Sequence, residues 1–371
     1  MKKLLRILTA GVFSLFIFSS CQKEAQISST SPETNDVQAK AAAELAIDKA
    51  KTEMSGFQNQ FSEMSKSVQA RQSRNIVEIA SSYSIFRSLV AAVVKTNLVG
   101  VLSDPNLNAT VFAPTDAAFA KLPAPFNNAA NISAIADQAQ IDALKNILLY
   151  HALGAPVLSS QIATGRSSAT TLKPAGSSVD NVIYLSNTFG IIVVNGKSLV
   201  LAPNVKASNG VIHVIDDVML PPSQTIAEIA IGNPAFSSLV AALVKTNLAS
   251  VFTGSGDFSV FAPTDAAFAQ LPAPFNSAAN ISGITDQAQI DALANILKYH
   301  VTGSRYFAWD LGFGSRIATL AAGTNNKLIG YLGLDRGYVK GNQNILFSVI
   351  NPANILATNG VIHVIDKVLL P

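Results

Sequence analysis

The sequence predicts an α+β fold built twice, as two tandem domains that each open with helices and finish in sheet. Three observations carry this. Val111–His151 match Val260–His300 at 35 of 41 positions at an offset of 149, and Ala207–Pro221 match Ala357–Pro371 at 12 of 15 at an offset of 150. A period that long is the size of a whole domain, well beyond the roughly 20–50 residues of solenoid repeats. Within each copy, apolar residues at helical spacing give way to short β-rich runs broken by Gly and Asn. The chain is 49% hydrophobic and only 13% charged, so it has the apolar surface to fill two cores.

Taken in order, the chain begins with Lys2, Lys3 and Arg6, an apolar run from Ile7 to Phe18, then Ser19, Ser20 and Cys21. Residues 1–20 read as a secretion signal with an apolar core too short for a comfortable membrane span. Cys21 is the sole cysteine, which rules out an intramolecular disulfide. Its position resembles a bacterial lipobox, with Phe18 where leucine is usual. Cys21 is therefore the expected lipidation site, and a cell-envelope location follows, the outer membrane or cell surface being favoured. Gln22, Lys23 and Glu24 resemble the start of a surface-export signature.

Of 26 basic side chains, Lys2, Lys3 and Arg6 lie in this leader, which leaves 23 to balance 23 acids. A neutral mature chain has no field to draw it to nucleic acid.

Residues 21–73 are expected to be a lipidated tether carrying an amphipathic helix. Ile47, Ala50, Met54, Phe57, Phe61, Met64 and Val68 recur at steps of three and four. A helix packed on the first domain, or a spacer, fits this short run better than a coiled-coil stalk.

The first domain is expected over 74–221 and the second over 222–371, joined at Pro221-Pro222-Ser223. In the first, Phe86, Leu89, Val90, Val93 and Val94 predict a helix, and Val111-Phe112-Ala113 a short strand. Thr115 or Asp116 then caps a short helix, and Asp137 with Gln140 forms a capping-box-like start for a longer one whose face is Ile141, Leu144, Ile147, Leu148 and His151. Val182–Leu185 and Ile191–Val194 read as strands, and Asn209-Gly210 as a hairpin turn before the last strand, Val211–Asp216.

Three segments resemble the signature of fasciclin-like domains: Thr110–Phe119, Tyr150-His151 and Asn209–Asp216. All recur in the second copy, as Ser259–Phe268, Tyr299-His300 and Asn359–Asp366. The resemblance implies a compact β-sandwich-like wedge with packed helices, and extracellular adhesion by contact with a protein or a polysaccharide. In some animal relatives the Tyr-His segment is proposed to touch receptors, which makes Tyr150, His151, Tyr299 and His300 candidate contact residues.

All four histidines fall in these segments. Val211, His213 and Ile215 share one strand face and Ile212 and Val214 the other, so a strand apolar on both sides is expected to bury its histidine, neutral and hydrogen-bonded. No spacing suits a metal, no G-x-S-x-G elbow or phosphate loop appears, and no cofactor or enzymatic activity is expected. The copies differ most between the Tyr-His pair and the last strand. There the second copy holds Tyr306, Phe307, Trp309, Phe313, Tyr331, Tyr338 and Phe347 against Tyr184 and Phe189 in the first. Tyr306, Phe307 and Trp309 are candidate binding residues by the enrichment of aromatics at hot spots; a bulkier core is the plainer explanation. The leading functional expectation is an anchored adhesion or binding lipoprotein. The alternatives are a carrier of an apolar small molecule and, behind it, a polymer-degrading enzyme.

Overall fold

The computed structural model describes residues 32–66, 74–176, 181–323, 326–333 and 337–371. The expected signal segment, Cys21 and the start of the tether lie outside these described residues. The chain opens with one helix, α1 (Pro32–Lys66).

Domain 1 continues with α2 (Ile76–Ser82), α3 (Arg87–Lys95), α4 (Val99–Ser103), β1 (Ala109–Pro114), α5 (Asp116–Phe119), α6 (Ala129–Ala134) and α7 (Gln138–Tyr150). Six strands follow: β2 (Ala152–Leu153), β3 (Gly165–Thr170), β4 (Val182–Thr188), β5 (Ile191–Val194), β6 (Ser198–Ala207) and β7 (Gly210–Ile215). The sheet order is β2-β1-β7-β6-β5-β4-β3. First and last strands lie parallel, Ala109 against Gly210 through Pro114 against Ile215. Leu153 bridges to Thr171 just past β3, so the sheet nearly closes on itself.

Domain 2 repeats this plan with α8 (Ile226–Ile231), α9 (Ser237–Lys245), β8 (Phe258–Pro263), α10 (Asp265–Phe268), α11 (Ala278–Ser282), α12 (Gln287–Tyr299) and β9 (Val301–Thr302). Its sheet is completed by β10 (Phe313–Ala318), β11 (Lys327–Tyr331), β12 (Gly337–Lys340), β13 (Ser348–Ile350), β14 (Ile355–Ala357) and β15 (Gly360–Ile365). Here β15 runs parallel to β8.

Local chemistry explains the elements. Thr115 has extended backbone and its hydroxyl accepts the Ala118 N–H, capping α5; Thr264 does the same for α10. Asp137 caps α7 through the Ala139 N–H. Gly210 closes the β6–β7 hairpin at φ 155°, with the Ala109 carbonyl where a side chain would begin. The alternation in β7 sends Ile212 and Val214 into the core beneath the helices, and Ile215 into a second cluster inside the wedge with Phe112, Tyr150 and Ile183.

One expectation needs correction. α1 does not pack on the first domain alone. Ala43, Ile47 and Ala50 form one cluster with Ile191, Val193, Leu199 and Leu201 of domain 1 and with Trp309 and Leu332 of domain 2. Alanines at the contact let the helix lie close to both sheets. Near its other end, the Gln58 amide donates to the Leu201 carbonyl at 3.1 Å, and Phe61 stacks on Tyr83 with ring centres 4.9 Å apart.

Candidate functional site

The signature residues come first, because chemistry would have to reside there. Asn209 holds three elements together: its side-chain oxygen accepts from the Ile76 N–H at 2.9 Å, and its amide donates to the Leu102 and Asp104 carbonyls. Asn359 does the same with Ile226, Phe252 and Gly254. The hairpin signal thus marks a second role that turn chemistry alone does not reveal.

Tyr150 and His151 end α7 pointing inward. The Tyr150 hydroxyl donates to the Val182 carbonyl at 2.8 Å and accepts from the Asn195 amide at 3.1 Å. His151 Nδ1 is 2.7 Å from the Ile147 carbonyl, and its Nε2 accepts the Met219 N–H at 2.9 Å. One ring nitrogen must donate and the other must accept, which requires the neutral imidazole. Tyr299 and His300 repeat the arrangement with Lys327, Ile296 and Leu369. His213 is held between the Val157 carbonyl and the Asn204 N–H, and His363 between the Tyr306 carbonyl and the Asn354 N–H. Burial pushes His151, His300 and His363 down to about 4, and lowers His213 as well. All four are buried, so the candidate contact residues Tyr150, His151, Tyr299 and His300 present no outward face. No group of three or more His, Cys, Asp or Glu among the described residues is placed to hold a metal.

The divergent aromatics of the second copy gather at the seam between the domains. Phe307 lies over Gly196 of domain 1, where φ of 68° and the closeness of the ring leave no room for a side chain. The ring of Tyr184 is 5.9 Å from that of Phe307, and the Arg305 guanidinium sits 4.3 Å above Tyr184. In the reverse sense, Arg166 of domain 1 donates to the Arg305 carbonyl at 2.7 Å and stacks 3.8 Å above Tyr306. Arg305 is itself buried and paired with Asp257 at 2.6 Å. Asn354 bridges the gap, its amide donating to the Gly196 carbonyl at 2.7 Å. Burial raises the pKa of Asp310, whose carboxylate accepts from the Phe307 N–H and bonds the Ser186 side chain. Trp309 is fully buried beneath α1, and its indole N–H finds no acceptor among the described residues.

The structure therefore brings Tyr306, Phe307 and Trp309 together, at a contact between domains rather than at an outer face. Their partners Arg166, Gly196, Arg305 and Asn354 were missed in the sequence. The available signal was that the copies diverge just where these residues lie.

An apolar cleft of about 70 Å³ in domain 2 is lined by Ile231, Phe236, Val240, Val244, Phe252 and His300 among others. An open hollow of about 620 Å³ lies on the outer side of α2 and α3, with Tyr83, Arg87 and Lys95 on its walls. In that hollow Lys95 donates to the Ser133 carbonyl, while the Ser133 hydroxyl donates to the Ala129 carbonyl.

The sequence is similar to that of known proteins. A family model described as Fasciclin domain matches residues 84–221 and 234–371. Transforming growth factor-beta-induced protein ig-h3 of Sus scrofa is 30% identical over 262 residues, covering 71% of this chain and 34% of that protein. The chain thus spans about a third of the length of that relative. Protein sll1483 of Synechocystis is 37% identical over 158 residues, 43% of this chain and 79% of its own length. A solved FAS1 domain pair from the insect cell adhesion molecule Fasciclin I is 18% identical and covers 77% of this chain and 97% of its own, with a TM-score of 0.37.

Proposed function

The chain belongs to the fasciclin family, and on that premise we propose that it is an extracytoplasmic adhesion and binding module, held to a membrane by a lipid on Cys21 and meeting a protein or polysaccharide partner with its outer surface. Fasciclin domains occur in adhesion and matrix-binding proteins. The observation that supports contact over catalysis is the use made of the polar signature residues. Each histidine has both ring nitrogens engaged by the backbone of its own domain, and His300, which borders the apolar cleft of domain 2, keeps neither nitrogen spare for chemistry. A carrier of an apolar small molecule finds less support, because the apolar cleft of about 70 Å³ is well below the roughly 300–1,000 Å³ of ligand pockets, and the hollow of about 620 Å³ is open to solvent with Arg87 and Lys95 on its walls.

Beads coated with the purified full chain, tested on surfaces of matrix proteins and of polysaccharides, are expected to adhere saturably to at least one. Adhesion no greater than that of albumin-coated beads on every surface would end the adhesion reading. The anchor is tested separately: Cys21→Ser should move the protein out of the membrane fraction, and unchanged fractionation would rule the anchor out.

A further inference from the structure

Phe189 breaks the pattern of the backbone around it. It sits at the tip between β4 and β5 with φ of 57°, followed by Gly190 at 76°. Two successive positive-φ residues form the hairpin turn that favours Asn-Gly. Every other non-glycine residue with positive φ among the described residues is an asparagine. A bulky side chain in this conformation is an outlier that the rest of the fold must tolerate. What the chain places there is an aromatic ring left 57% exposed.

The ring is not alone. Phe313 of domain 2, 37% exposed, meets it edge-on with centres 5.9 Å apart. Phe313 is the register partner of Tyr331, and the Tyr331 hydroxyl lies 3.4 Å from the Asp36 carboxylate in the opening turns of α1. Aromatic side chains from both domains thus collect beside the opening turns of α1. Cys21 is about 15 positions before Asp36, a stretch whose extended reach is at most about 50 Å.

We propose that Phe189 and Phe313 form a membrane-contact surface, seating the domain pair against the headgroup–acyl boundary of the bilayer that holds the Cys21 lipid. Exposed Phe side chains on a surface-bound protein bury into that boundary as apolar anchors. A second weak contact is also what turns a single lipidated anchor into a defined orientation, because two signals act together on one chain. The inference rests on the anchored reading above and adds to it which end of the molecule faces the lipid. The competing occupation, an aromatic pair that only joins the domains, leaves more than half of Phe189 without a role.

The test uses the full chain purified from bacterial membranes. Phe189→Cys is labelled with an environment-sensitive fluorophore and reconstituted into phosphatidylethanolamine–phosphatidylglycerol vesicles. Gln138→Cys, at the exposed start of α7 and away from the seam, is the control. A spin-labelled lipid placed at headgroup depth is expected to quench the label at 189 about twofold more than the label at 138. Equal quenching, with mass spectrometry showing diacylated Cys21 and the protein floating with the vesicles, overturns the contact surface alone. A Cys21 without lipid and protein that fails to float overturn the anchor as well, and the mass distinguishes the two failures.

Discussion

A single 3₁₀ turn after the short second strand occurs in both domains and meets opposite surroundings. In domain 1 it is Ser159–Gln161, introduced by Leu158, with Ser160 exposed to solvent. In domain 2 it is Ala308–Leu311, introduced by Phe307, with Trp309 fully buried. The side-chain bond that shapes it is the same: the Gln161 Oε1 accepts from the Leu158 N–H, and the Asp310 Oδ2 from the Phe307 N–H. One scaffold turn therefore serves as a surface loop in one copy and as the joint of the molecule in the other. The duplicated module kept its core residues and changed its joint.

The sharpest way to break this comparison is to remove the joint. Trp309→Ala should cost about 3–5 kcal/mol, as expected for deleting a large buried side chain. Ser160→Ala, at the corresponding position, should stay within about 0.5 kcal/mol. Chemical denaturation of both variants measures this, and a Trp309→Ala cost as small as that of Ser160→Ala would show that the seam holds little of the stability.

Next comes a property the two domains should share. Each unfolded histidine titrates near 6.5, whereas His151 in domain 1 and His300 and His363 in domain 2 titrate at about 4 when folded. Between those values the unfolded chain binds the extra proton. Stability is then complete above pH 6.5 and falls as pH drops toward 4, by roughly 3 kcal/mol per histidine at the acid end. Denaturation midpoints at pH 7 and pH 4.5 report the loss, and His300→Gln and His151→Gln should each flatten it. Equal midpoints at the two pH values would mean the imidazoles are not held neutral.

The smallest effect separates the copies again. Asp216 follows β7 and accepts the Leu199 N–H; burial raises its pKa to about 6, with Glu53 of α1 adding to the rise. Its counterpart Asp366 accepts from Ser348 and Val349 in a more exposed setting. The folded form of Asp216 holds its proton in the interval from 3.8 to about 6, so this group contributes less stability as pH rises through that window. Asp216→Asn should accordingly gain about 1–3 kcal/mol at pH 7, after allowance for partial exposure. Asp366→Asn should gain nothing. Thermal unfolding of both at pH 7 checks it, and equal shifts would mean that the burial of Asp216, with Asp217 beside it where the second copy has Lys367, is not the source of the difference.

Much of each domain was legible because local rules decided it. The run Ile191–Val194 is a strand over those same residues, Thr115 rather than Asp116 caps the short helix that either could have capped, and a strand apolar on both faces buries His213. Longer-range facts were not legible. The spacing of Ile47, Ala50, Met54, Phe57 and Phe61 specifies a helix face without saying what covers it, and here two domains do. The enrichment in aromatics around Trp309 admitted a contact surface or a bulkier core; a joint between domains lies between those two. The divergence of the copies marked the region of Arg166 and Arg305 but not their role, because the ring each guanidinium covers belongs to the other half of the chain.

The parallel pairing of first and last strands sets the order in which the molecule can be finished. β1 and β7 are roughly a hundred residues apart, as are β8 and β15, so no domain can complete its sheet until its final strand has left the ribosome. Domain 1 can therefore close while domain 2 is still being made, and domain 2 waits in turn for β15.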